Sequence, residues 1–329
     1  MTDDAFNACI RDLDADRAEA ARLLDARRRE VYEKSPRIKE IDDILFATGL
    51  NISKLALGDP SADIAKLLSE MEKENARLNR EKKALLKDCG FKQNYLTDIY
   101  KCKTCSDAGF VGNEQCRCLK QKLIQRRYGQ SNLSNILQKE NFDNFDLRFY
   151  SEEKDAFGIS PRANIKNIYR VCMKFVSEFG VKPSNLLFYG ATGLGKTFLC
   201  NAVAKDLLDN GKTVLYTTAP QLFKVFEEYR FHREDMEDAA SSVDIIYESD
   251  LLIIDDLGTE FITSNSLTEF FSVVNARLLT NKSMIVSTNL SPNELESVYT
   301  ERIISRLIGN FTMLKFFGQD IRLLKKYAK

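Results

Sequence analysis

The sequence predicts an α/β fold: a parallel sheet covered on both faces, preceded by a helical N-terminal region and a small four-cysteine module. Three observations predict it. In the second half, short apolar runs at 185–190 (NLLFYG), 213–218 (TVLYTT), 250–256 (DLLIIDD) and 283–289 (SMIVSTN) alternate with helix-like stretches, the pattern of buried strands joined by crossover helices. Residues 1 to about 90 are crowded with Lys, Glu, Arg, Asp, Ala and Leu, a long-helix composition. Between the two lies CKTCSDAGFVGNEQCRC, residues 102 to 118, which holds four of the eight cysteines.

At 329 residues, two compact units are the natural expectation. The textures divide the chain into a helical partner-binding region (1–95), the cysteine module (96–125), a linker with lead-in helices (126–180) and the α/β domain (181–329). Lys plus Arg equals Asp plus Glu, 48 each, so overall charge gives no nucleic-acid footprint and any such surface is a local patch. The opening MTDDAFNACIRDLDADR is acidic and has no apolar segment, which argues against a signal peptide. No apolar run approaches the ~20 residues that cross a bilayer. A cytoplasmic, reducing setting without membrane contact is therefore expected, where clustered cysteines bind metal more often than they pair.

Within the helical region Ile64, Met71, Leu78 and Leu85 recur every seven residues, with Leu67 and Leu68 beside the first pair. Asn75 and Lys82 fall where a coiled coil wants apolar residues, so a helical hairpin or small bundle is expected instead. GLNISKLALGDPSAD (49–63) carries the Gly and Pro breaks that end one helix before the next. Few apolar residues are left for a private core, which favours a docking surface for another protein over a solvated helix.

Cys102-x2-Cys105 and Cys116-x1-Cys118 supply four soft ligands in two close pairs. That set suits tetrahedral Zn²⁺, and a four-ligand site leaves no open position for catalysis. Gly109 and Gly112 permit the turn that brings the pairs together. An iron–sulfur cluster and a redox C-x-x-C remain alternatives. Cys9, Cys89, Cys172 and Cys200 are scattered and read as buried small hydrophobes.

The chemistry of the α/β half begins directly after its first strand, at GATGLGKT (190–197). Gly190, Gly193 and Gly195 let the backbone bend until successive N–H groups, from Gly190 through Ala191, Thr192, Gly193, Leu194, Gly195, Lys196, Thr197 and Phe198, face one anion. A helix starting near Lys196 adds its positive end. Lys196 then reaches the β- and γ-phosphates and Thr197 ligates Mg²⁺, which makes this a nucleoside triphosphate site. Asp255, at the carboxyl end of the LLIIDD strand, fits the partner of Mg²⁺, touching it directly or through one of its ligands. Asp256 is placed to orient or deprotonate the attacking water, with Glu260 nearby to share the task. Asn289 ends the next strand, where an amide can touch both γ-phosphate and water. Further on, Ser291, Pro292 and Glu294 read as N-cap, first helical residue and capping box.

These motifs carry a resemblance. GATGLGKT, LLIIDDLGTE, STNL, ERIISRL (301–307) and FFGQDIR (316–322) look like the AAA+ ATPases of the DnaC/DnaI helicase-loader group, from about residue 140, at NFDNFDLRFY (141–150), to the end. Transposition helper ATPases of the IstB type share much of this core. The resemblance implies an AAA+ P-loop NTPase that hydrolyses ATP on assembly. Arg306 would be the arginine finger reaching a neighbouring subunit's ATP, with Arg302 one turn earlier on the same face, and Arg322 would be the sensor of the subunit's own nucleotide. Many such ATPases carry glutamate where Asp256 stands. Similar cysteine modules precede the core in some loader-like proteins.

As partners the resemblance implies a replicative hexameric helicase of the DnaB type, single-stranded DNA and self-association through the AAA+ core. In the family the stretch matching 219–235 contributes to contacting single-stranded DNA. Here Lys224, Tyr229, Arg230, Phe231 and Arg233 mix cations with aromatics, while Leu222, Phe223, Val225 and Phe226 show helical burial. The expected function is ATP-dependent loading of the replicative helicase. A transposition helper and a nucleotide-gated adaptor with little turnover are the alternatives.

Overall fold

The computed structural model describes residues 4–56, 62–97, 99–130, 133–154, 158–231 and 236–327. It divides into two compact units, Arg11–Ala108 and Met1–Ile10 with Gly109–Lys329.

The smaller unit is built on three helices, α1 (Asp4–Lys34), α2 (Pro36–Ala56) and α3 (Ala62–Asp88). Pro36 stands at the first position of α2, where its missing N–H costs nothing. The α2–α3 pair forms the expected hairpin; Gly58 and Pro60, expected to break the helix, lie outside the described residues, while Gly49 lies within α2. The side chains of Ile64, Leu67 and Leu68 lie outside the described residues. Contrary to expectation, the unit has a core of its own: Val31, Ile38 and Leu86 are buried against Tyr32, Leu85, Phe91, Tyr95 and Leu96. Lys82, the charged residue in the apolar register, donates to Asp42 at 2.5 Å, and Tyr32 donates to the other oxygen of the same carboxylate at 2.9 Å. All three helices thus meet at one half-buried charge, which specifies their register better than an apolar residue would. Asn75 keeps a buried Oδ1 with no hydrogen-bond partner among the described residues.

The larger unit opens with a two-residue hairpin, β1 (Phe110–Val111) and β2 (Glu114–Gln115), turned at Gly112 with φ 60°. Then come α4 (Arg117–Arg127), α5 (Leu133–Lys139), two single 3₁₀ turns and α6 (Pro161–Ser177), whose N-cap Ser160 accepts from Ala163 N. The α/β core follows as β3 (Leu186–Tyr189), α7 (Lys196–Asp209), β4 (Val214–Thr218), α8 (Ala219–Phe231), α9 (Met236–Glu248), β5 (Leu251–Leu257), α10 (Ser264–Leu279), β6 (Ser283–Thr288), α11 (Pro292–Val298), α12 (Glu301–Asn310), β7 (Thr312–Lys315) and α13 (Ile321–Tyr327). The sheet is wholly parallel, in the order β4-β5-β6-β3-β7.

Strand periodicity explains the two-sided burial. Leu186, Phe188, Leu251, Ile253 and Ile285 point to one face, where α6 and α7 cover them with Ile165, Ile168, Phe175, Leu199 and Val203. Leu187, Leu252, Ile254, Met284 and Val286 point to the other, under Leu222 of α8, Phe270 and Val273 of α10, and Ile303 and Leu307 of α12. Each such side chain is worth roughly 1.5–3 kcal/mol when fully buried. The capping box at Ser291–Glu294 is present on both sides. β7 was not legible in the sequence, because this short edge strand buries only Leu314.

One buried group stands out on the second face. Arg277 of α10 is fully buried and donates to the carbonyls of Ile246 (2.7 Å), Ser249 (2.9 Å) and Ser283 (2.9 Å). It thereby satisfies orphan carbonyls at the end of α9 and ties them to the start of β6. Burial pushes its guanidinium down to about 9.

Candidate functional site

The carboxyl ends of β3, β5 and β6 converge on the loop between β3 and α7, the crevice where open α/β sheets bind ligands. Two of the loop's glycines are dictated by contact as well as by φ. Gly190 has φ 139°, and a Cβ there would lie 2.1 Å from the Phe316 carbonyl oxygen. Gly193 has φ 76°, and a Cβ there would lie 2.2 Å from the Asp320 carboxylate. At Gly190 the contact is with backbone, so only glycine fits; at Gly193 the left-handed φ favours glycine and a larger residue would displace the Asp320 carboxylate.

Lys196 opens α7 and is 5% exposed. Its Nζ donates to the Gly190 carbonyl (2.6 Å), the Ala191 carbonyl (2.7 Å) and Asn289 Oδ1 (2.9 Å). Burial pulls this amine below the usual lysine range, and the nearby Asp256 and Asp255 act against that shift. Thr197 Oγ1 donates to Asp255 Oδ2 at 3.0 Å.

The two aspartates of β5 part company. Asp255 is buried, 4% exposed, and accepts from Thr197 and Tyr216 on Oδ2 and from Ser287 and the Asp256 N–H on Oδ1. Asp256 lines the pocket with Asn289, Arg322, Thr197 and Phe198. A register shift between Ile254 and Leu257 separates them, and Asp256 takes φ 55°. Such a bulge re-aims one side chain out of the alternation, and aspartate tolerates left-handed backbone better than most residues. Burial, then the neighbouring Asp255, raise the Asp256 carboxyl above the usual aspartate range.

The pocket also has walls that motif reading did not assign. Phe145, Phe149 and Tyr150, from the 141–150 segment, line it beside Ile321. Tyr150 donates to the Leu194 carbonyl at 3.0 Å, and Phe145 stacks edge-on against Phe198 at 5.4 Å. Tyr216 and Ser287 were visible only as polar residues inside apolar strands. Glu260 is turned elsewhere: it accepts from Gly258 N at 2.8 Å and from Tyr299, so it braces the loop after β5.

Arg322 is held by α13, whose N-cap Asp320 accepts from Arg322 N at 2.8 Å. Ile321 N donates to the Gly193 carbonyl at 2.9 Å, fastening that helix to the loop. Arg306 is not in this pocket. It is exposed on α12, donates through Nε to Asn275 Oδ1 at 3.2 Å, and shares a surface groove with Arg302, Phe271, Glu301 and Ser305. Ile303, Ile304 and Leu307 form the buried face of the same helix.

On α8, Leu222, Phe223 and Phe226 are buried and Tyr229 is 45% exposed. Lys224 pairs with Glu228 at 3.6 Å and Arg230 with Glu269, which offsets part of that helix's positive charge. His232 and Arg233, and the side chain of Phe231, lie outside the described residues.

The sulfur atoms of Cys102, Cys105, Cys116 and Cys118 lie within 4.8 Å of one another. Four thiolates at ~2.3 Å from one tetrahedral zinc stand about 3.8 Å apart, so the set fits zinc with a small contraction. Asp107, φ 57° and 1% exposed, accepts from Lys101 N (2.9 Å) and Cys102 N (2.7 Å). Cys116 N donates to the Gly109 carbonyl at 2.8 Å. Backbone hydrogen bonds thus fix both cysteine pairs. Cys9, Cys172 and Cys200 are buried and Cys89 is half-buried; burial pushes the Cys172 thiol up to about 12.

Residues 121–328 match the family of IstB-like ATP-binding proteins. The chain belongs to that family. Among curated relatives, the chromosomal replication initiator protein DnaA of Cereibacter sphaeroides is 38% identical over 138 residues, covering 40% of this chain and 29% of the relative. The replicative helicase loader DnaC of Buchnera aphidicola is 24% identical over 205 residues, covering 60% of this chain and 76% of the relative. The chain spans only 28–36% of the length of the DnaA relatives. Among solved structures, a crystal structure of the DnaC helicase loader is similar at TM-score 0.45 and 20% identity, covering 55% of this chain and 99% of that one. The match covers the IstB-like ATP-binding core that the motifs led us to expect. Among the described residues, no helix is long and apolar enough to cross a membrane.

Proposed function

We propose that this protein is an ATPase that loads the replicative hexameric helicase and contacts single-stranded DNA as it does so. The observation that carries the ATPase reading is the convergence of Lys196, Asp256, Asn289 and Arg322 on one pocket under the glycine loop. The loop N–H groups bind the phosphates, and Lys196 leaves its three oxygen partners for the β- and γ-phosphates. The Thr197 hydroxyl, hydrogen-bonded to Asp255, would hold Mg²⁺, which would supply charge neutralisation on the phosphate oxygens. Asp256 orients the attacking water, with Asn289 on its other side, and Arg322 contacts the subunit's own nucleotide. Arg306 acts in trans on a neighbouring copy's nucleotide, which fits its distance from its own pocket.

The loader reading is supported by the match to DnaC over most of that protein's length. In it, residues 1–95 bind the helicase, the cysteine module at 96–125 holds Zn²⁺ as a structural ion, and the exposed side of α8 meets DNA. The alternative, a transposition helper, is favoured by the family match itself.

Two measurements test the proposal. Purified full-length chain is mixed with the cognate hexameric helicase, ATP and single-stranded DNA, and helicase on DNA is counted. Loading that requires both chain and ATP is the expected result; recovery of a transposase with no helicase from native lysate overturns it. ATP turnover that is unchanged by Asp256→Asn removes Asp256 from the mechanism.

A further inference from the structure

A carboxylate offers about four lone-pair positions, and all four on Asp255 are filled. Thr197 and Tyr216 share Oδ2, while Ser287 and the Asp256 N–H share Oδ1. Thr197 stands in the first turn of α7, Ser287 lies on β6 and the Asp256 N–H belongs to β5 itself. The fourth, Tyr216, comes from the neighbouring strand β4, where Thr218 pairs with Asp255 in register. Its ring is partly buried against the core and its backbone carbonyl accepts from Gln130, so the side chain that donates to Asp255 is held in place.

That arrangement limits what Asp255 can do. A hard divalent cation seeks an open oxygen lone pair. With Tyr216 in place, Oδ2 has none to give. The Thr197 hydroxyl spends its proton on Asp255, which leaves its own lone pairs for a cation. We propose that Tyr216 is a positioning residue that keeps Asp255 from binding the cation directly, so that the cation is taken by the Thr197 hydroxyl and Asp255 acts through it. The inference rests on the reading of the glycine loop as a magnesium–nucleotide site, and it adds a residue that sets how the metal is held.

The test uses the full chain and Tyr216→Phe, which keeps the ring and removes the donor. Mn²⁺ binding to nucleotide-free protein is read from the paramagnetic signal of the unbound ion. Binding of a non-hydrolysable ATP analogue is read in chelator and again with Mg²⁺. Tyr216→Phe should bind Mn²⁺ about tenfold tighter, the scale of one hydrogen bond to a charged group, with unchanged affinity for the analogue in chelator. Equal Mn²⁺ affinities overturn the proposal, and so does a variant that loses analogue affinity in chelator without gaining Mn²⁺, the signature of a structural role. If the variant fails to fold, wild-type protein labelled at tyrosine Cζ decides by NMR. A Tyr216 resonance that keeps its hydrogen-bonded shift when Mg²⁺ and analogue are added supports the proposal, and its loss overturns it. Wild type that binds no magnesium–nucleotide at all sinks the proposed function together with this inference. Wild type that binds normally beside a variant of unchanged Mn²⁺ affinity sinks this inference alone.

Discussion

Replacing Gly190 by alanine tests whether the phosphate loop is locked to the edge of the sheet. At φ 139° the backbone sits in a region that is close to glycine-only, which costs roughly 1–3 kcal/mol for another residue. The new Cβ would also lie 2.1 Å from the Phe316 carbonyl oxygen. Normal contact requires that strand end to move by more than about 1 Å. Phe316 N donates to Tyr189 O at 2.7 Å, so the movement breaks a buried hydrogen bond worth roughly 1–3 kcal/mol when left unmade. The sum is about 2–6 kcal/mol, a large part of the ~5–15 kcal/mol that holds a domain together. Gly112→Ala is the matched control: its φ is 60° with nothing within 4 Å, so only the left-handed backbone cost of ~1–2 kcal/mol applies. Urea unfolding followed by far-ultraviolet circular dichroism measures both. If Gly190→Ala costs no more than Gly112→Ala, the loop is not locked as described and the contact argument fails.

Arg306→Ala should leave nucleotide affinity unchanged in equilibrium binding and slow ATP turnover by ~10³ or more, and mixing it with Lys196→Ala chains should restore part of the turnover. A loss of nucleotide affinity would instead put Arg306 at its own subunit's site. Elemental analysis of freshly purified protein should find one zinc per chain, lost in Cys116→Ser with a lower melting temperature; iron with inorganic sulfide in its place would identify a cluster. Tyr32 is raised to about 12, first by burial and then by its hydrogen bond to Asp42. Its folded value exceeds its unfolded one, so its contribution is complete below about pH 10 and fades as pH rises towards 12. Unfolding at pH 9 and pH 11 should show a loss of stability that Tyr32→Phe reduces; an equal loss in the variant would refute the assignment.

What the sequence revealed was local. GATGLGKT announces itself because strand, loop and helix are consecutive, and Ser291–Glu294 because a capping box spans four residues. The alternation of apolar runs showed both faces of the sheet, since each strand carries its own period. What stayed hidden depends on chain segments that meet only after folding. Tyr150 touches Leu194 across 44 residues, and Arg277 serves carbonyls from three other segments. The private core of the helical unit was missed for the same reason: it is assembled from Val31, Ile38 and Leu86 together with Phe91 and Tyr95 beyond the helices, so composition within 1–90 undercounted it. Lys82 looked like a fault in a heptad because its partner, Asp42, is 40 residues away.

The departure at Asp256 shows how a local rule and a tertiary constraint combine. Motif comparison alone marks this position as one where many such ATPases carry glutamate. The bulge in β5 places that residue at φ 55°, where aspartate is enriched several-fold over ordinary residues and a longer, unbranched acid gains nothing. The same bulge moves the side chain off the face that holds Asp255, so two adjacent acids serve two places. Asp255 is saturated by four donors behind the pocket, while Asp256 stands in it with its carboxyl raised by burial and by its neighbour's charge. A carboxylate that reaches the pocket from this backbone with its acid raised above the usual aspartate range is suited to the water-orienting role proposed for it, so the aspartate is matched to its bulge.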